Sequence, residues 1–345
     1  VTVNWLVKAC LALWLRCRSR WRKIFRTRPM AGSPSTRVGK SCLPHFLEGA
    51  NLPWLRYGGD FGANAWDSNG GMGQAQHREA LRRHFLELEG RGLHAIRWFL
   101  LCDGRAGIRF SAAGTPIGPD PFLYRDIDAA LETAAAAGLM IIFVLLDFLW
   151  FGKAARINGV QVRGRDATVT GAYKQRALRR RVIRPILKRY GHSPIILAWD
   201  IVNEPEWVTH GCGSILSGGA VPFLTMRRFI RKTVRLVHRC TGQLATVGLA
   251  NAAGLPLVRD VGLDFYQVHW YDRWESLAPL ERPVPDLDLD RPLLLGEFPT
   301  RNSSRSPDSI VAAARSSGYC GALGWSVLGS DRSSGIDLES EMPPG

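Results

Sequence analysis

Ser193-PIILAWDIVNEPE-Trp207 is an apolar run that closes abruptly on Asn203, Glu204 and Pro205. Its near-continuous Ile, Leu, Ala, Trp and Val content is what a parallel strand covered on both faces requires. Pro205 has no N–H and cannot extend a strand ladder, so the strand should stop there and leave Glu204 at its C-terminal end. A lone Glu in such a place is equally consistent with a carboxylate that only caps the next loop. A second stretch of the same design, Arg291-PLLLGEF-Pro299, ends on Glu297 and shifts the balance toward a shared site.

Outward from these two stretches, the chain alternates strand and helix patterns from Ala50 onward. Strands are expected near 50–52, 93–100, 139–147, 195–203, 245–250, 264–270, 292–297 and 320–327. Helices, with apolar residues at three- and four-residue spacing, are expected at 75–90, 124–137, 174–189, 222–239 and 307–317. Gly138, Gly191 and Gly318 stand where C-terminal caps belong. This alternation predicts an α/β fold, a (β/α)8 TIM barrel in a single domain over 41–345, and the length of 345 residues fits one. Only a Ser-, Asp- and Pro-rich tail follows the eighth strand, so an eighth helix should be incomplete.

The formal charge of +15 alone would suggest nucleic acid or an anionic surface as a partner. Ten Lys and Arg and no acid fall within residues 1–40, which leaves +5 for everything else. A second basic cluster, Arg176 to Arg189, reads as the solvated face of an outer helix, since no recognition motif accompanies it. No nucleic-acid partner is therefore expected. Residues 1–30 begin apolar and turn basic, the reverse of a secretory signal, and their 15-residue apolar start is short for a membrane span. Trp14, Cys17, Trp21, Ile24 and Phe25 recur at helical spacing, which permits contact of residues 1–29 with an anionic membrane surface. The preferred reading is a poorly ordered or non-native leader, with Met30 as a start and residues 31–40 as a linker. Seven scattered Cys with no CxxC pair argue against a disulfide framework or a structural zinc site and leave the compartment undetermined.

In a barrel the loops after the strands form the active face, so polar residues at strand ends converge. Arg97 lies on strand two, Asp147 ends strand three, Asn203 and Glu204 end strand four, His269 and Tyr271 lie on strand six, Glu297 ends strand seven and Trp325 lies on strand eight. Each is weak alone: a barrel Arg can simply neutralise a core carboxylate, and a strand His can be an ordinary core residue. Two converging carboxylates suit cleavage of an acetal, where one protonates the leaving oxygen and the other stabilises or attacks the oxocarbenium-like centre.

NEP on one strand and GEF on a later one resemble the acid/base and nucleophile motifs of glycoside hydrolase clan A, most closely the cellulase and mannanase type of family 5. The resemblance extends over most of residues 47–331. It implies a retaining β-glycosidase acting on a β-linked glucan, mannan or related saccharide, with no metal and no organic cofactor. It implies Glu204 as general acid/base with a raised pKa, Glu297 as nucleophile, and Asn203 on the sugar 2-hydroxyl. Arg97 would keep the nucleophile ionised, Tyr271 beside His269 would donate to Glu297, and Trp325 would form a platform under the sugar. Asp147 stands where many members carry a histidine. Asp60, Asp103, Trp150 and Trp207 are candidate subsite residues, equally readable as ordinary loop positions. A non-catalytic carbohydrate-binding barrel and a transglycosylase remain alternatives. A monomer is expected, and only the substrate class suggests action outside the cytoplasm.

Overall fold

The computed structural model describes residues 46–212 and 221–338. Eight parallel strands form the barrel: β1 (Leu47–Leu52), β2 (Ala95–Phe99), β3 (Met140–Val144), β4 (Ile196–Asp200), β5 in two pieces (Leu244–Thr246 and Gly248–Leu249), β6 (Tyr266–His269), β7 (Leu293–Pro299) and β8 (Gly321–Trp325). Neighbours in sequence are neighbours in the sheet, and β8 pairs with β1. The first piece of β5 pairs with β4 and the second with β6, so the ring closes through β5. The fold is the expected TIM barrel. Segment 1–29, with its expected membrane-surface contact, Met30 and the linker lie outside the described residues, among which no helix is long and apolar enough to cross a membrane.

The helices are α1 (Ala75–Gly90), α2 (Leu123–Ala136), α3 (Ala172–Ala177, a π-helical Leu178–Ile183 and Arg184–Tyr190), α4 (Phe223–Cys240), the one-turn α5 (Leu255–Val258) and α6 (Pro307–Ser316). Their apolar stripes face the sheet. In α4, Met226, Phe229, Ile230, Thr233, Val234 and Val237 are buried at three- and four-residue spacing. Ser306 caps α6 by accepting a bond from the Ser309 N–H, with Pro307 at the first helical position. Gly138 and Gly318 follow their helices at φ +71° and +91°, as left-handed caps do. Gly191 differs: its φ is −62°, and a Cβ there would sit 2.5 Å from the Cys240 carbonyl oxygen, so close approach of two chain segments is what requires glycine.

Sheet and helices enclose one large apolar cluster, and a smaller one with Leu47, Ala95, Ile142, Ala198, Leu294 and Leu323 fills the barrel floor. After β8 no helix appears among the described residues. Instead Val327 bridges to Ile336, and Leu338 is buried in the outer cluster, so the tail doubles back over the place an eighth helix would take. The described cysteines, Cys102, Cys212, Cys240 and Cys320, carry free thiols.

Candidate active site

Inside the barrel the strands alternate, and β2 shows the consequence: Ala95 belongs to the floor while Arg97, two residues on, is the centre of a buried polar layer. Arg97 donates through Nε and Nη2 to Asp200 Oδ2 at 3.0 and 2.8 Å, through Nη1 to Asn51 Oδ1 at 3.0 Å and Glu297 Oε1 at 2.7 Å, and through Nη2 to Asn203 Oδ1 at 2.7 Å. Gln267 Nε2 adds a bond to Asp200 Oδ2 at 3.1 Å. One guanidinium thus ties β1, β2, β4 and β7 together. Asp200, Asn51 and Gln267 escaped the sequence reading, which looked at strand ends; the signal available was a polar side chain inside an apolar strand.

Above this layer the two strand-end glutamates meet. Glu204 takes a left-handed backbone conformation, φ 44° and ψ 51°, and its N–H donates to the Gly248 carbonyl at 2.7 Å. That turn aims its carboxylate back over the barrel, where Trp207 Nε1 donates to Oε2 at 2.7 Å and His269 Nδ1 lies 2.9 Å from Oε1. Glu297 accepts from Arg97 and from the Tyr271 hydroxyl, at 2.9 Å on Oε2, with His269 Nδ1 3.3 Å from the same oxygen. One oxygen of each carboxylate and a ring nitrogen of His269 lie within 4.8 Å of one another. These three side chains are also spaced to ligate one cation.

Asn203 donates through Nδ2 to Asp147 Oδ1 at 3.1 Å, and an isolated strand bridge joins the same two residues. Trp325, partly exposed, donates to Asp331 Oδ2 at 3.0 Å and meets Phe99 edge-on at 6.5 Å. Arg97, Asp147, Asn203, Glu204, His269, Tyr271, Glu297 and Trp207 therefore converge, with Trp325 at the end of β8 beside Phe99. Three candidates do not join them. Asp60 is buried and accepts from the Leu55 and Arg56 N–H groups and the Trp98 indole, each at 2.8 Å, so it braces the loop after β1. Trp150 is fully buried and donates to Thr168 at 2.9 Å, which makes it a core residue without a face for a sugar. Asp103 is buried against Arg105 at 2.8 Å.

Electrostatics refine the picture. Burial pushes Glu204 upward, but the His269 and Trp207 hydrogen bonds and the charges of His269 and Arg97 outweigh it, and the carboxyl lies below its usual range. At Glu297 burial prevails over His269, Arg97 and Tyr271, and the neighbouring charge of Glu204 adds to the rise. The free protein thus departs from the expectation that Glu204 is the raised member, and the reason is the imidazole seated against it. Asp147 is pushed up to about 7, by burial first, with Glu204 and Glu297 adding and the Asn203 bond opposing. Glu206 reaches about 8, again by burial, although it accepts the Ala250 N–H at 2.8 Å. Burial and the two glutamates hold the Tyr271 phenol well above its ordinary value, so it stays a donor.

No family model matches the chain. It is 27% identical over 326 residues to a mannan endo-1,4-beta-mannosidase of Mytilus edulis, covering 81% of this chain and 83% of the relative. A mannan endo-1,4-beta-mannosidase of Cryptopygus antarcticus is 25% identical, covering 81% and 80%. Among solved structures, the endo-1,4-beta-mannanase of Eisenia fetida shares the fold with a TM-score of 0.69 at 22% identity, covering 85% of this chain and 88% of that one. Similar sequence over most of the length, a shared barrel and two glutamates meeting at its mouth lead to one assignment: the chain is an O-glycoside hydrolase for a β-linked polysaccharide, similar to clan A and most like its family 5.

Proposed function

We propose that the chain is an endo-acting, retaining β-1,4-mannanase with Glu297 as nucleophile and Glu204 as general acid/base. The observation that carries this reading is the carboxylate pair, one oxygen of each within 4.8 Å across His269. Double displacement needs the carboxyls about 5–5.5 Å apart, whereas inversion needs roughly 6.5–9.5 Å to admit a water. The names of the sequence relatives support mannan and internal cleavage.

In the first step a Glu297 oxygen bonds to the anomeric carbon, the glycosidic bond breaks, and the departing oxygen takes the Glu204 proton. In the second, Glu204 removes a proton from water, the water oxygen bonds to the anomeric carbon, and Glu297 leaves with its electron pair. The bonds from His269 and Trp207 favour the ionised Glu204 in the free protein, against burial, which favours the proton the first step spends. His269 Nε2 has no partner among the described residues, so the proton of the neutral ring belongs on Nδ1, where it donates to Glu204 Oε1. Arg97 and Tyr271 favour the ionised nucleophile. Asn203 has one amide hydrogen left for the 2-hydroxyl once Arg97 and Asp147 are served. Trp325 supplies the sugar platform and Trp207 flanks the leaving group.

The test is hydrolysis of soluble β-mannan, β-glucan and aryl β-mannosides by wild type, Glu204→Ala and Glu297→Ala, each with and without azide. Viscosity of mannan falling well ahead of reducing-end release supports internal cleavage. Glu297→Ala should yield the inverted glycosyl azide and Glu204→Ala the retained one. Activity that survives either substitution without azide sinks the role assignment, and preference for glucan sinks the substrate.

A further inference from the structure

Two neighbouring outer helices carry more positive charge than the +5 excess of residues 41–345, so the rest of that region is net acidic. α3 holds eight Lys and Arg and α4 six, and neither contains an Asp or Glu. On α3 the exposed residues Arg176, Arg180, Arg184 and Lys188 recur every four positions and form a stripe that runs through the π-helical turn. On α4 the exposed Arg228, Lys232, Arg235 and Arg239 form a second stripe. None of these eight makes an ion pair among the described residues.

The stripes belong to one surface. The helices follow β3 and β4, the C-terminal end of α3 packs beside α4, and Gly191 touches the Cys240 carbonyl. Arg179 registers both helices: burial first, then Arg180, Arg239 of α4 and Arg176, push its guanidinium below the ordinary value. Attraction of cations to helix C-termini accounts for Lys188 and Arg239 but not for Arg176, Arg180, Arg228 or Lys232, nearer the helix starts or middles. Like charges four apart on a helix repel, so the pattern works against the helices that carry it.

We infer that the α3–α4 face is a binding surface for an acidic polysaccharide, a polyuronate whose repeated carboxylates pair with the two stripes and hold the enzyme on a mixed glycan matrix. Carboxylates match the planar guanidinium fork, and a chain with a charge on every sugar suits rows of cations. A membrane surface would need apolar residues among the cations, yet the exposed large apolar residues of these helices, Tyr173 and Leu224, stand at their starts. Among the described residues no exposed Phe, Tyr or Trp lies between the stripes to stack on a nucleobase. The face is on the outer wall, away from the C-terminal strand ends, so a bound chain leaves the cleft open.

The experiment is salt-dependent binding of the full chain to immobilised polygalacturonate. The face variant combines Arg180→Gln, Arg184→Gln, Arg235→Gln and Arg239→Gln. A charge control places Gln at Arg16, Arg18, Arg20 and Arg22, and a second face variant places Lys at the same four helix positions. Wild type and the charge control should bind alike, the Lys variant should fall between them and the Gln variant, and the Gln variant should lose at least tenfold in affinity while keeping its rate on soluble neutral mannan. Unchanged binding by the Gln variant, or an equal loss in the charge control, overturns the inference. So does tighter binding to phosphatidylserine vesicles, duplex DNA or a sulfated dextran than to the polyuronate. Binding requires no turnover, so its result stands apart from whether mannan is the substrate.

Discussion

Arg97 and Asp200 are joined by two hydrogen bonds to a single carboxylate oxygen, at 3.0 and 2.8 Å, with neither side chain exposed. The other Asp200 oxygen accepts the Gly248 N–H at 3.1 Å. This pairing fixes the guanidinium plane and leaves Nη1 aimed at Glu297. Asp200 therefore acts on Glu297 through Arg97. Asp200→Ala leaves a buried cation short of a partner, and the expected cost is about 3–5 kcal/mol. Urea unfolding checks it; a loss under 1 kcal/mol would contradict the linchpin role.

Trp207→Phe removes the indole donor at 2.7 Å from Glu204 Oε2. That bond favours the ionised carboxyl, so its loss raises the Glu204 pKa. The basic limb of the kcat/KM profile, where the acid loses its proton, should move to higher pH. A limb that stays in place, or moves down, would exclude Glu204 as the group it reports.

Asp147 and Glu206 hold their protons up to about pH 7 and 8, against ordinary values of 3.8 and 4.5. Between those limits the folded chain binds more protons than the unfolded one, so stability falls as pH rises through the window. Glu206→Gln keeps the shape and cannot ionise. Its unfolding midpoint should match wild type near pH 5 and exceed it near pH 9. A difference independent of pH would remove Glu206 from the account.

Gly248→Ala tests the crowding around the polar layer. A Cβ there would lie 2.5 Å from Gln267 Nε2, 2.6 Å from Arg97 Nη2 and 2.9 Å from His269 Nε2. Overpacking of this kind costs about 1–3 kcal/mol, and the displaced groups are those that set both glutamates. Thermal unfolding and kcat should therefore fall together; a variant that unfolds like wild type and keeps its kcat would show that the layer has slack.

Much of this was legible because strand ends announce themselves. NEP and GEF each place a polar residue at the end of an apolar run, and eight such runs with helices between them leave little choice of architecture. Asp200 was not legible for the opposite reason: it sits within its run, and only the partner demanded by a buried Arg97 reveals it. Asp60 and Trp150 misled because loop position alone does not say which way a side chain turns. In the structure three N–H groups claim Asp60, and the core takes Trp150 whole. The split of β5 at Val247 also left no mark, since both halves keep the apolar character of one strand.

That split makes the barrel a ring with a clasp. The two halves of β5 hold separate neighbours through ladders of three and two residues, shorter than those joining β1, β2, β3 and β4. Local opening is cheapest where few bonds must break together. Amide protons of residues 244–249 should exchange ahead of those in β2 and β3, and Gly248, whose carbonyl anchors the Glu204 turn, lies within the clasp. Glu204, the proposed acid/base, is thereby anchored to a short-laddered part of the wall, whereas Glu297 stands within the seven-residue β7.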